Sequence, residues 1–409
     1  MKTTSLVPTP FSPHQAAYML KRVYDFPTRV GNAGGRHQNT KEEYLRTRMK
    51  WFAALFVVLA LFVAACADEE EPSDTGGGDG AEEDNSDFLA CQVTDTGGVD
   101  DRSFNQTAFK GLEDAEAEFG IETQVLESQS PNDFEPNIQS LIQQECDIIV
   151  TVGFLLGDAT AAAAEANPDQ KFAIVDVDFF DPDAEEDVTF DNVKELTFAT
   201  DEAAFLAGYV AAGTSETGKL GTFGGINIPT VTIFMDGFQA GMEHYNSEKD
   251  ANVELEGWDS ANPDGGLFTG DFENQDNGRQ VAQDLLGEGA DIIMPVAGPV
   301  GLGSAAAIQD AGEGSLVWVD TDGCVSAADF CDLFLTSVVK NMDVAVFTAI
   351  EEALNDEFEG GLYVGTLENE GVGIAPFHEF EETVDDELKT EVEDLQQQII
   401  DGEVTVGEG

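Results

Sequence analysis

Basic residues are scarce in this chain. Its 409 residues hold 18 Lys and Arg against 81 Asp and Glu, a formal net charge of −63. Half of the basic residues and only three of the acidic ones lie in 1–66, which leaves nine basic against 78 acidic side chains in 67–409. A surface so poor in cations cannot neutralise phosphates, and nucleic-acid binding is excluded. Histidine is rarer still: His14, His37, His244 and His378 are the full set. There is no H-E-x-x-H, no P-loop and no G-x-S-x-G, so the sequence offers neither a nucleophile–base pair nor a zinc-hydrolase ligand set. The five cysteines contain no C-x2-C pair, which argues against a four-thiolate zinc site. The acid-rich stretch Asp178–Asp187 lacks EF-hand spacing and reads as a solvated loop rather than a calcium site. No metal and no cofactor is expected, and an enzyme is disfavoured.

What is present begins with one apolar run, Trp51 to Ala65, preceded by Arg46, Arg48 and Lys50. It is short for a spanning helix and suits a signal-peptide core. Its end, Val63-Ala-Ala-Cys66, is similar to a bacterial lipobox. In such a motif small residues fit the signal peptidase, and the cysteine thiol takes a diacylglycerol before cleavage. Lipidation is therefore expected at Cys66; the alternative is an ordinary membrane anchor that happens to contain a cysteine. Residues 1–48 are too long and mixed for a signal n-region, whereas Met49-Lys50 would open one, so 1–48 reads as a start-site artefact before a signal peptide at 49–65. Residues 66–87 are Gly- and acid-rich without apolar periodicity and read as a lipid-anchored, flexible tether. Acid persists through the apolar periodic segments beyond, a pattern of solvated surface; adaptation to high salt, where self-repulsion is screened, would account for it.

From residue 88 onward strand and helix patterns alternate. Strands are expected at 88–93, 122–126, 147–152 and 172–176, with helices at 105–119, 135–145 and 157–166 between them. A second series follows: helix 201–213, strand 219–223, helix 230–246, strand 252–257, helix 274–287, strand 290–296, helix 303–312 and strands 315–319 and 333–339. Helix 341–355, a strand or loop over 361–375 and helix 384–400 complete it. Short strands separated by helical patterns indicate parallel βαβ units. The expected fold is α/β, with two lobes that are each a parallel sheet flanked by helices: 88–200 plus about 341–360 in one, 201–340 plus part of 361–409 in the other. A cleft between such lobes is where a ligand binds and about which they close. Cys91 in the first strand and Cys146 beside the third fall within bridging reach, and Cys324 and Cys331 can close a small loop. Two disulfides, Cys91–Cys146 and Cys324–Cys331, and hence an oxidising compartment, are expected. Gly298-Pro-Val-Gly-Leu-Gly303 runs in the reverse order of the dinucleotide fingerprint and reads as a tight turn into a helix.

The loop after the first strand is the most specific feature. Asp95-Thr-Gly-Gly-Val-Asp-Asp-Arg-Ser-Phe-Asn-Gln106 resembles the D-x-G-G-x-D-D-x-S-F-N-Q signature of the basic membrane protein family. That family comprises substrate-binding lipoproteins of ABC transporters, typified by a purine nucleoside receptor of spirochaetes. Phe205-Leu-Ala-Gly-Tyr209 is similar to its F-L-A-G-Y helix. The block from Gly224 to Gly241 is similar to G-G-x-x-x-P-x-V-x-x-F-x-x-G-F-x-A-G. Val319-Asp-Thr-Asp322 and Thr336-Ser-Val-Val-Lys-Asn341 resemble its late V-D-x-D and S-x-x-K segments.

The resemblance implies a type I periplasmic-binding fold with a nucleoside, a purine nucleoside above all, in the cleft. Phe104 and Phe234 would sandwich the base, Asp95 and Asn105 would bond its edge, Asp176 and Asp320 would take ribose hydroxyls, and Lys340 would meet the ribose from the hinge side. Asp100 and Asp101 are assigned to loop structure. The implied partners are ABC permease subunits and, through Cys66, the extracytoplasmic face of the cell membrane; a monomer is expected. Thr232 and Ile233 stand where family members often carry basic residues, which leaves base preference open. Rival readings are a binding protein for another flat heterocycle such as riboflavin, a secreted nucleoside-processing enzyme and a ligand-sensing regulatory module.

Overall fold

The computed structural model describes residues 85–181 and 186–406. The signal-like segment 49–65, Cys66 and nearly all of the tether lie outside the described residues. In chain order the first sheet is entered by β1 (Leu89–Thr94), α1 (Phe104–Phe119), β2 (Glu122–Leu126), α2 (Phe134–Gln143), β3 (Ile148–Val152), α3 (Gly157–Ala166), β4 (Lys171–Val175) and β5 (Val193–Phe198). A second set follows: α4 (Thr200–Thr214), β6 (Lys219–Gly224), α5 (Pro229–Lys249), β7 (Glu254–Glu256), α6 (Gln275–Glu288), β8 (Ile292–Val296), α7 (Val300–Ala311), β9 (Ser315–Asp320), the short α8 (Gly323–Ser326) and β10 (Phe334–Lys340). The chain ends with α9 (Met342–Leu354), β11 (Gly361–Gly365), β12 (Val372–Ile374) and α10 (Asp386–Ile400).

Two six-stranded sheets result. The first has the order β11-β5-β4-β3-β1-β2 and is parallel throughout. The second has the order β12-β10-β9-β8-β6-β7 and is parallel except at β12. Sheets of this kind are covered on both faces, so their central strands are apolar without alternation: Ile148–Val152 and Ile292–Val296 are buried at every position. β5, Val-Lys-Glu-Leu-Thr-Phe, is absent from the expected strands. Its adjacent charges break the apolar pattern and are matched by partners distant in sequence: Lys194 pairs with Glu352, and the Glu195 carboxylate accepts from the Phe179 N–H at 3.0 Å.

Three connections cross between the sheets: β5 to α4, β10 to α9, and β11 to β12. The crossings are laced together. The Ala199 N–H donates to the Gly365 carbonyl at 2.8 Å, and the Asn341 N–H donates to that of Gly371 at 2.9 Å. α9 returns to pack on α1, while α4 lies against α5, β10 and α10. The α4–α5 contact depends on glycine: a Cβ at Gly208 would strike the backbone carbonyl of Phe238, and one at Gly241 that of Phe205. Cys91–Cys146 and Cys324–Cys331 are disulfide-bonded. Among the described residues no helix is long and apolar enough to cross a membrane.

Candidate functional site

Parallel α/β sheets place ligands beyond the carboxyl ends of their strands. Here both sheets turn those ends toward one cleft of about 560 Å³, counted with its open mouth. Asp95, Phe104, Asn105, Asp176, Phe234, Asp320 and Lys340, the seven ligand residues expected from the sequence, all line it. They come from six separate segments spread over 246 positions of the chain.

Lys340 is the hub. It ends β10, and only 1% of its surface is exposed. Its Nζ stands 2.6 Å from Asp176 Oδ2 and 3.4 Å from Asp320 Oδ1, so one ammonium joins a carboxylate of each sheet. Asp176 follows β4 and Asp320 ends β9, and these strands hold equivalent places in the two sheets. Both aspartates adopt left-handed backbone, with φ of 62° and 68°. That conformation costs a non-glycine residue about 1–3 kcal/mol and persists where the surroundings over-determine it. Phe104, Phe234 and Phe198 surround the same ammonium, their ring centroids 4.8, 5.3 and 5.7 Å from Nζ. Phe104 and Phe234 thus flank a cation in this structure. Burial disfavours charge on Lys340, yet the two carboxylates outweigh it and its pKa is raised. Burial lifts that of Asp176 although Lys340 pulls it down.

The first-sheet loop is built differently. Asp101 accepts the backbone N–H groups of Ser103, Asn105 and Gln106 at 3.0, 2.8 and 3.0 Å. Its carboxylate holds the orphan donors that open α1 and so orients Phe104 and Asn105 into the cleft. Burial still moves its pKa up to about 6. The Asn105 Nδ2 donates to Asp95 Oδ1 at 3.0 Å and, at 3.4 Å, to the Thr96 carbonyl; its Oδ1 is buried without a hydrogen-bond partner. Burial pushes the Asp95 pKa up to about 8, with Asp101, Asp176 and Asp320 adding repulsion to what the Asn105 bond offsets.

Ser103, Phe198 and Phe272 escaped the sequence reading. The Ser103 Oγ donates to Asp320 Oδ2 at 2.5 Å, a first-sheet hydroxyl on a second-sheet carboxylate. Ser103 lies inside the quoted signature, so its place beside Phe104 could have flagged it. Phe198 belongs to the unrecognised β5, and Phe272 to a loop without periodicity. Gly298 and Pro299 form the cleft wall ahead of α7, as a tight turn. Elsewhere, Asp322, Cys324 and His378 approach one another, but the Cys324 sulfur is held in a disulfide and Asp322 is bonded to His378 at 2.8 Å.

A two-lobed α/β clamp whose binding groups face a shared cleft is the architecture of ABC-transporter solute-binding proteins, and comparison places the chain in that class. A solute-binding protein of an ABC transporter system from Aeropyrum pernix K1 superposes with a TM-score of 0.68 at 25% identity, over 78% of this chain and 92% of that one. Residues 88–409 match the family described as ABC transporter substrate-binding protein PnrA-like, and the chain belongs to that family. It is similar to the "ABC transporter nucleoside-binding protein BmpA" of Lactococcus lactis, 32% identical over 78% of this chain and 89% of the relative. It is also similar to "Basic membrane protein A" of Borreliella burgdorferi, 33% identical over 76% of this chain and 85% of that protein. These relatives are substrate-binding proteins rather than enzymes.

Proposed function

We propose that this substrate-binding protein captures a nucleoside, a purine nucleoside by preference, and hands it unchanged to an ABC importer. The observation that carries this reading is the convergence of two aromatic rings, a base-edge pair and a carboxylate–ammonium–carboxylate bridge on one cleft. In this reading Phe104 and Phe234 contact the two faces of the base, a contact tolerant of base identity. Asp95 and the unpartnered Asn105 Oδ1 accept from its edge. Asp176, Asp320 and Lys340 exchange part of their mutual pairing for the ribose hydroxyls, which both donate and accept. The name of the Lactococcus lactis relative supports the same ligand class.

The protein acts as a monomer tethered through a lipid on Cys66 at the extracytoplasmic face of the membrane, where the closed lobes dock on permease subunits. Calorimetric titration with purine and pyrimidine nucleosides, free bases and riboflavin tests the ligand. A saturable signal with purine nucleosides is expected. Tight binding of riboflavin with none of a nucleoside would transfer the site to the flat-heterocycle reading, and release of free base from bound nucleoside would make it an enzyme.

A further inference from the structure

Arg102 lies within the ligand loop but does not line the cleft. Its backbone is left-handed, with φ of 62°. That conformation is unfavourable for arginine, and contacts from outside the loop can add to the neighbouring Asp101 turn in holding it. Two contacts do. The Arg102 Nη1 donates to the carbonyl of Ser326 at 2.9 Å, and the Arg102 carbonyl accepts from the Trp318 indole N–H at 3.3 Å. Arg102 belongs to the first sheet's loop, whereas Trp318 lies in β9 and Ser326 in α8 of the second lobe. Both contacts therefore cross between lobes, outside the ligand's own contacts.

The second-lobe side is stiff. Trp318 is fully buried and packs on Phe334 with ring centroids 5.2 Å apart. Ser326 sits inside the small loop closed by Cys324–Cys331, and the Gly323 N–H is fixed on the Ser337 hydroxyl at 3.0 Å. The choice of residue is also informative. Seven other basic side chains meet carboxylates, as abundant acid would dictate. Lys171 donates to the Ala353 carbonyl on α9, and Arg102 directs its guanidinium to a backbone carbonyl of the opposite lobe.

We infer that Arg102 is a closure latch: together with the disulfide-braced loop that receives it, it sets how long the lobes stay shut. It acts on residence time and not on ligand choice, because it makes no contact within the cleft. The Arg102 bond comes from a charged donor but is solvent-exposed, so it corresponds to about a threefold to tenfold change in an equilibrium constant. Under this proposal opening the lobes breaks the bond, so that factor belongs to dissociation.

The test compares full-length wild type, Arg102→Ala, Arg279→Ala and the double variant Cys324→Ser/Cys331→Ser. Arg279 pairs with Asp310 away from the cleft and removes the same charge without touching the latch. Dissociation rates are measured for guanosine and adenosine, and electron-resonance distances between labels on α2 and α6 are measured with and without nucleoside. Arg102→Ala should release both nucleosides about threefold to tenfold faster, by the same factor, with association little changed. It should also lengthen the interlobe distances, while Arg279→Ala matches wild type. The double cysteine variant should move in the same direction, and combining it with Arg102→Ala should add little, since both act through one contact. The latch is refuted if Arg102→Ala and Arg279→Ala give the same distance distribution, whatever their release rates. If wild type binds neither nucleoside, the ligand reading fails and the distances alone decide the latch.

Discussion

Removing the Lys340 ammonium leaves the Asp176 and Asp320 carboxylates buried without their shared cation. Breaking such a pair from one side typically costs ~3–5 kcal/mol, because the remaining charge is uncompensated. Lys340→Met should therefore lower the urea midpoint strongly and abolish binding, and removing one of the two stranded charges with Asp176→Asn in the same chain should recover part of the stability but not the affinity. Phe104→Ala should instead leave stability near wild type and weaken nucleoside binding by ~1–3 kcal/mol, read by calorimetry. Asp95 makes a pH prediction. Its folded pKa of about 8 lies above its ordinary value near 4. The folded state thus holds a proton that the unfolded chain has lost, and the associated stability is present below about pH 4 and disappears as pH rises toward 8. Asp101, Asp201 and Asp236, each raised by burial to about 6, act in the same direction. The urea midpoint of the unliganded protein should fall across this window, and Asp95→Asn should flatten the upper part of the fall. A profile identical to wild type in the variant would show that Asp95 titrates normally.

Among the secondary-structure elements, α4 and α5 explain motifs that look functional but are structural. Phe205-Leu-Ala-Gly-Tyr209 and the end of the Gly224–Gly241 block meet each other, with Gly208 and Gly241 admitting the partner helix's backbone. Their packing fixes α5, and α5 carries Phe234 to the cleft. Gly241→Val should separate the helices and destabilise the protein by ~1–3 kcal/mol or more, measured by thermal unfolding. It should also weaken binding without touching any ligand contact. The same reasoning sorts the signature loop. Asp101 caps α1 from the cleft wall, whereas Asp95 and Asn105 are left to meet the ligand. β5 shows the limit of pattern reading: Lys194 and Glu195 look solvent-facing until Glu352 and the Phe179 N–H are brought beside them by folding.

The charge of −63 acts on the molecule as a unit. Most carboxylates are far more numerous than any local cation can balance, so their mutual repulsion opposes compaction and is relieved by screening. Thermal unfolding should move to higher temperature from low to molar salt, with most of the gain at low ionic strength where the screening length changes fastest. A flat or falling melting temperature would remove the high-salt interpretation. Nucleoside affinity should respond less than stability does, because the cleft charges are buried and screened weakly.

Much of this protein was legible along the chain. Apolar periodicity revealed the alternating α/β plan, and spaced motifs revealed the family and seven cleft residues, because strand length, helix period and loop chemistry are local properties. Tertiary structure alone could decide which charges are shared. That one ammonium bridges Asp176 and Asp320, that Ser103 reaches across to Asp320, and that Arg102 meets Ser326 all depend on bringing residues together from separate lobes. No local pattern encodes such meetings, since their energies arise only when distant segments bring both partners to the same site.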